Sequence, residues 1–95
     1  MAYLISHHFA GGTQEQYEAI LGEVHPGGKL PAGQTYHVAG PTDGGWLIAA
    51  VWNSKEDYDR FVSEKLEPAL GHVSGGFSGP PEIREAQVAN QVSAP

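Results

Sequence analysis

The chain has 95 residues, a formal net charge of −6 from five basic and eleven acidic side chains, and no cysteine. That length makes one domain, residues 1–95 with 93–95 as a loose tail, and a domain of this size hides only about 60–70% of the surface its unfolded chain exposes. The missing thiols exclude a disulfide framework, a thiolate nucleophile and a Cys-containing zinc site.

Binding a phosphate backbone rests on clustered Lys and Arg, whereas Lys29, Lys55, Arg60, Lys65 and Arg84 are scattered. No nucleic-acid or membrane partner is expected. The opening Met-Ala-Tyr-Leu-Ile lacks the basic start and long apolar core of a signal peptide. The longest apolar run has seven residues, well short of the roughly 18–20 that span a bilayer. A soluble, cytoplasmic protein is the expectation.

In chain order, Tyr3 to Phe9 reads as a strand, broken by Ala10-Gly11-Gly12. Thr13, with Gln16 three residues on, has the spacing of a capping box and opens a helix. Tyr17, Ile20, Leu21 and Val24 form its apolar stripe, and His25-Pro26-Gly27-Gly28 ends it. Lys29 to Ala32 connects to a second strand, Gly33 to Gly40, and a third follows from Gly45 to Asn53. If Pro41–Gly44 form a four-residue loop, His37 faces Ile48 and Ala39 faces Trp46. One face then carries Thr35, His37, Ala39, Trp46, Ile48, Ala50 and Trp52; the other carries Tyr36, Val38, Leu47, Ala49 and Val51. A loop one residue longer would swap partners.

Ser54 caps a second helix, with Asp57 placed to reach back. Tyr58, Phe61, Val62, Leu66 and Leu70 make its buried stripe, and Pro68 should kink the helix or end it at about Glu67. Gly71 to Pro81 is a glycine-rich loop. Glu82 to Val92 reads as a fourth strand, with Arg84, Ala86, Val88, Asn90 and Val92 on one face.

The segment Trp46-Leu47-Ile48-Ala49-Ala50-Val51-Trp52 is apolar at every position. A strand with one wet face alternates instead, so this one reads as dry on both sides. The order βαββαβ with right-handed crossovers gives an α+β, ferredoxin-like unit: a four-stranded antiparallel sheet with both helices on one face. Those helices dry one side of the third strand. A second copy of the chain, packed sheet to sheet, would dry the other, so a homodimer is expected.

Trp52 reads either as a core residue at the strand–helix corner or as an aromatic wall with an indole N–H to donate. Trp46, nearer the hairpin end, reads as a dimer or rim contact. His37, in a mostly apolar layer, suits a general acid or base near neutral pH, or a buried residue with one hydrogen bond. His72 begins the glycine-rich loop, where a side chain can close over a ligand. His7 and His8 are strand neighbours and point to opposite faces, so they do not chelate one ion. No metal spacing, catalytic carboxylate pair, phosphate-binding loop or hydrolase elbow is present.

The junction Val51-Trp52-Asn53-Ser54-Lys55-Glu56-Asp57-Tyr58-Asp59-Arg60-Phe61 resembles that of the dimeric α/β-barrel superfamily, and within it the antibiotic-biosynthesis-monooxygenase-like proteins. The resemblance implies a pocket between the sheet and its own helices. In the quinone-forming monooxygenases of that family a tryptophan ending the third strand and a tyrosine early in the second helix line it; Trp52 and Tyr58 match those places. Ile48 stands where those enzymes carry an asparagine, and His72 near where they carry an arginine. The resemblance further implies an enzyme without a protein-bound cofactor, acting on an aromatic or polyketide-like molecule by oxygenation, isomerisation or cyclisation. Trp52, Tyr58 and Ile48 would contact the small aromatic ligand, and His37 and His72 would be its catalytic residues. The alternative is a non-catalytic binding or structural homodimer in which the same side chains are packing.

Overall fold

A computed structural model describes residues 2–72 and 75–92, with 71 and 72 as backbone only. Strands β1 (Tyr3–Ala10), β2 (Gln34–Thr42), β3 (Gly45–Trp52) and β4 (Glu82–Gln87) form one antiparallel sheet in the order β2-β3-β1-β4. Helix α1 (Gln14–Val24) links β1 to β2, while α2 (Lys55–Phe61) and α3 (Glu67–His72) link β3 to β4. This is the expected ferredoxin-like α+β unit.

Local chemistry sets the helix starts. Thr13 Oγ1 accepts from the Gln16 backbone N–H at 3.2 Å, and the Thr13 N–H donates to Gln16 Oε1 at 3.0 Å, which closes the capping box. Ser54 Oγ accepts from the Asp57 N–H at 3.2 Å; the Asp57 carboxylate reaches back to the Ser54 hydroxyl rather than to its backbone.

The hairpin is tighter than the four-residue loop expected. Pro41 and Thr42 belong to β2, and only Asp43-Gly44 turn, with Gly44 at φ +80°. Partners therefore move by two positions: His37 lies opposite Ala50 and Ala39 opposite Ile48. Side chains alternate with period two, so a slip of two keeps every residue on its expected face. Thr35 is the exception. A bulge between Gln34 and Tyr36 takes it out of the alternation, and its hydroxyl donates to the Val51 carbonyl at 3.2 Å. Gln34, opposite Trp52, takes the helix-facing place and is buried.

Two further boundaries differ. The last strand ends at Gln87 rather than Val92; the Val88 N–H still donates to the Ala2 carbonyl at 2.9 Å, but beyond it Val92 is solvent-exposed. The second helix does not stop at Glu67. A π-helical turn over Val62–Leu66 joins α2 to α3, and the Glu67 N–H reaches back five residues to Val62 O. That shift seats Pro68 in the first turn of α3, where its missing N–H costs little.

The core lies between the sheet and the helices. Ile5 and Trp52 are its most buried large side chains, joined by Tyr3, Ile20, Val24, Ala50, Tyr58, Phe61 and Ala69. Trp46 also faces this layer, buried within the single chain with its ring 5.2 Å from that of Tyr17. The opposite sheet face presents Leu4, Tyr36, Val38 and Leu47, 40–55% exposed. In the single chain, β3 is dry on its helix side only.

Two glycines separate propensity from space. Gly22 lies in α1 with nothing near a would-be Cβ, whereas a Cβ on Gly45 would overlap the Phe9 carbonyl oxygen of the neighbouring strand. Urea denaturation should show Gly22→Ala raising stability by about 0.5–1 kcal/mol. Gly45→Ala should lower it by about 1–3 kcal/mol, since backbone cannot yield as a side chain can.

Candidate functional site

The helix layer does not fill the space above β3. A cavity of about 60 Å³ remains, bounded by side chains from every element but β4. β1 contributes His7 and Phe9; β2 contributes Gln34 and His37; β3 contributes Ile48, Ala50 and Trp52. Tyr17, Ile20 and Val24 of α1 close one wall, with His25 just past the helix end. Tyr58 and Phe61 of α2 close another, and Leu66, Leu70 and Phe77 complete it.

Four of the five predicted site residues meet here: His37, Ile48, Trp52 and Tyr58. The fifth, His72, ends α3, and its side chain lies outside the described residues. Of the strand pair, His7 is the one that faces the helices, and His8 looks to the open face. Sequence pattern does not single out Tyr17, His25 or Gln34. Tyr17 hides in the apolar stripe of α1, His25 in a stop signal, and Gln34 behind the bulge.

The aromatic frame is continuous. Trp52 packs edge-on against Tyr58 (centroids 5.7 Å) and tilted against Phe61 (5.1 Å). Phe77, from the loop before β4, stacks on Phe9 at 3.8 Å and 10°. Among these rings sit three hydrogen-bonded pairs: His7 Nε2 with Tyr58 OH at 3.0 Å, His37 Nε2 with Tyr17 OH at 2.6 Å, and His25 Nε2 with Gln34 Oε1 at 3.0 Å. The His25 and His37 rings are only 4.5 Å apart, centroid to centroid. Each keeps a buried Nδ1 with no hydrogen-bond partner among the described residues, as does the indole N–H of Trp52. Buried polar atoms are ordinarily paired, at a cost of about 1–3 kcal/mol where they are not.

Electrostatics favour the uncharged forms of His7, His37, Tyr17 and Tyr58. Burial, with His25 and His7 nearby, pushes His37 down to about 4, and burial lowers His7 as well. Burial raises Tyr17, and burial together with Asp59 and Glu85 pushes Tyr58 up to about 12. The Tyr3 hydroxyl donates to Glu85 at the edge of the layer and is likewise held above its ordinary range, chiefly by burial. At neutral pH the cavity wall therefore carries two neutral imidazoles, His7 and His37, and two neutral phenols, Tyr17 and Tyr58. Among the described residues, no group of three or more His, Cys, Asp or Glu is placed to hold a metal ion.

No protein-family model matches the chain, and no curated protein matches it. Solved structures do. A protein from Chloroflexus aurantiacus described as a putative antibiotic biosynthesis monooxygenase superposes with a TM-score of 0.70 at 15% identity, covering 98% of both chains. SnoaB, a cofactor-independent oxygenase from Streptomyces nogalater, gives 0.61 at 12% identity over 98% of this chain and 97% of its own. The ActVA-Orf6 monooxygenase of Streptomyces coelicolor, solved with the ligand nanaomycin D, gives 0.57 at 19% identity over 99% and 92%. The chain has the fold of the antibiotic-biosynthesis-monooxygenase-like proteins, as the Trp52–Tyr58 junction implied.

Folding stability should depend on the buried imidazoles. The unfolded chain takes up a proton at His37 near pH 6.5, while the native chain refuses it down to about pH 4. Between those values the unfolded state binds more protons, so stability falls as pH falls. The loss from this group approaches roughly 3 kcal/mol; His7 acts in the same direction. Urea midpoints at pH 7 and pH 4.5 check it. The drop should be smaller in His37→Asn than in the unmodified chain, and equal drops in the two would contradict it.

Proposed function

We propose that the chain is a small enzyme of the antibiotic-biosynthesis-monooxygenase type, acting on an aromatic or polyketide-like molecule without a protein-bound cofactor. One observation carries this reading. An otherwise apolar cavity gathers His37, Trp52 and Tyr58, and the residues that line it keep buried polar atoms unmatched. A packing layer has no use for unmatched donors and acceptors, whereas a ligand with oxygen on its rim would satisfy them.

In this reading Trp52 and Tyr58 flank the ring, and Ile48 supplies an apolar floor. Oxygenation without a cofactor needs a substrate that ionises readily and itself passes electrons to dioxygen. Removing its proton is the protein's task, and the imidazole wall that includes His37 does it. His37 is neutral in the free chain, so it meets the ligand as an uncharged hydrogen-bonding group. His72, the last residue of α3, is the second catalytic residue in this reading, on the family resemblance alone. The second reading, a non-catalytic homodimer with a small-ligand or structural role, is favoured by the modest 60 Å³ of free space. A two-ring ligand would have to displace Phe77 or Leu66.

Thermal-shift measurements with phenols and quinols, followed by oxygen uptake, separate the two. The enzyme reading expects a ligand that raises Tm by several degrees, a loss of most of that shift in His37→Ala and Trp52→Phe, and oxygen consumption with the same ligand. A shift that survives both substitutions unchanged sinks the pocket assignment. Binding without turnover of any kind favours the second reading.

The same proposal includes a homodimer through the bare sheet face, where Leu4, Tyr36, Val38 and Leu47 lie exposed. Sedimentation at micromolar concentration should give twice the chain mass, and Leu47→Lys should give a monomer. A monomeric unmodified chain would refute it.

A further inference from the structure

The hydrogen bonds around the cavity constrain which nitrogens of His25 and His37 carry a proton. Gln34 presents its carbonyl oxygen to His25 Nε2. An amide oxygen only accepts, so Nε2 holds a hydrogen, and with one proton on the ring Nδ1 is a bare lone pair. At His37 the partner is the Tyr17 hydroxyl, 2.6 Å from Nε2. The hydroxyl has no other acceptor among the described residues. If it donates, Nε2 is the bare nitrogen and His37 Nδ1 carries the hydrogen. The reverse assignment would strand the phenolic hydrogen and turn two buried Nδ1 lone pairs into neighbours on rings 4.5 Å apart. The self-consistent arrangement is thus one acceptor, His25 Nδ1, and one donor, His37 Nδ1–H. Both atoms are buried, they belong to rings that line the cavity, and they are not bonded to each other.

A hydroxyl group is the chemical complement of that pair, because it gives one hydrogen and accepts another. We propose that His25 and His37 form a clamp for a ligand hydroxyl, in which His25 Nδ1 accepts its hydrogen while His37 Nδ1–H donates to its oxygen. The assignment rests on the enzyme reading above and divides the labour of its imidazole wall. His25 is the residue that removes the proton, and His37 holds the oxygen left behind. On transfer the O–H bond breaks and an N–H bond forms at His25 Nδ1. The new imidazolium keeps its Nε2–H on Gln34, and the oxyanion keeps the His37 hydrogen bond. Gln34 is the positioning residue, since its oxygen selects the tautomer of His25 that can act as base. The β-bulge at Thr35 is what turns Gln34 inward to do so.

Phenol, toluene and anisole probe the clamp in the full chain, because they share a ring and differ in hydrogen-bonding. Dissociation constants from NMR titration are compared in the unmodified chain and in His25→Phe, which keeps a flat ring without Nδ1. The phenol-to-toluene and phenol-to-anisole affinity ratios should each fall about tenfold in the variant, the fold-change expected for one buried hydrogen bond. Ratios that do not change, or no binding by any of the three, overturn the clamp. Nitrogen-15 NMR of the unmodified chain decides the matter even if His25→Phe does not fold. The expected state is Nε2–H at His25 and Nδ1–H at His37; an Nδ1–H tautomer at His25 overturns the proposal. Oxygen uptake tests the underlying reading separately. A phenol preference lost in His25→Phe, with no phenol, quinol or anthrone consuming oxygen, upholds the clamp and removes the oxygenase.

Discussion

β3 is the strand on which the other elements depend. It pairs with β1 on one side and β2 on the other, and its residues are apolar on both faces. On the inner face Trp46, Ile48, Ala50 and Trp52 alternate with period two, so four side chains of one strand define the floor of the helix layer. Trp52 at its end meets Tyr58 and Phe61, which fixes where α2 leaves the sheet. The small Ala50 lies between Ile5 and His37 across the ladder. A larger residue there would occupy the space that the cavity keeps open. The floor is therefore both the main hydrophobic surface of the unit and the reason it is not fully filled.

That surface has to be closed by helices whose sequences are themselves compromised. α1 ends at His25, whose backbone N–H still donates to Leu21 O at 2.8 Å while its side chain turns toward Gln34. The second helical segment carries a π turn before Pro68, and the last side chains to line the cavity from it, Leu66 and Leu70, lie at or after that irregularity. A regular α-helix through Pro68 would clash with the carbonyl four residues earlier. The π turn resolves this by widening the helix at the place where it covers the cavity. Packing irregularity and cavity arise together here: the elements that fail to pack tightly are the ones around the free space.

Much of this is legible in the chain. The capping signals at Thr13 and Ser54, the stripe Tyr17–Ile20–Val24 and the unbroken apolar run of β3 carry the order of elements and the side of the sheet that the helices cover. Even a hairpin loop taken two residues too long preserves the faces, because the error is an even number. The losses have a common cause. A bulge at Thr35, a π turn at Val62–Leu66 and the early end of β4 are departures from ideal repeats, and a periodic reading cannot see them. They also hide part of the site. Gln34 turns inward only because of the bulge, and His25 looks like a helix terminator because its side-chain contact is made to a residue nine positions later. His37, Trp52, Tyr58 and Ile48 lie on regular elements, and periodicity is enough to bring them together.

Those irregularities bear on what the cavity wall does. An apolar layer packed for stability alone would place leucine or phenylalanine at His7, His25 and His37, where each imidazole costs desolvation and leaves hydrogen-bonding capacity to satisfy. The chain instead gives each ring one neutral hydrogen-bond partner among the described residues, Tyr58, Gln34 and Tyr17 respectively. A carboxylate would hold an imidazole in its charged form; an amide oxygen or a phenol orients it without adding a charge. Orientation without charge is what a site needs if charge is to appear only when a ligand loses a proton, since solvation of the new ion is then supplied by groups already in place. On the proposed function, the neutral partners, the two unmatched Nδ1 atoms and the apolar floor would be one arrangement, in which charge is created only when a ligand gives up a proton.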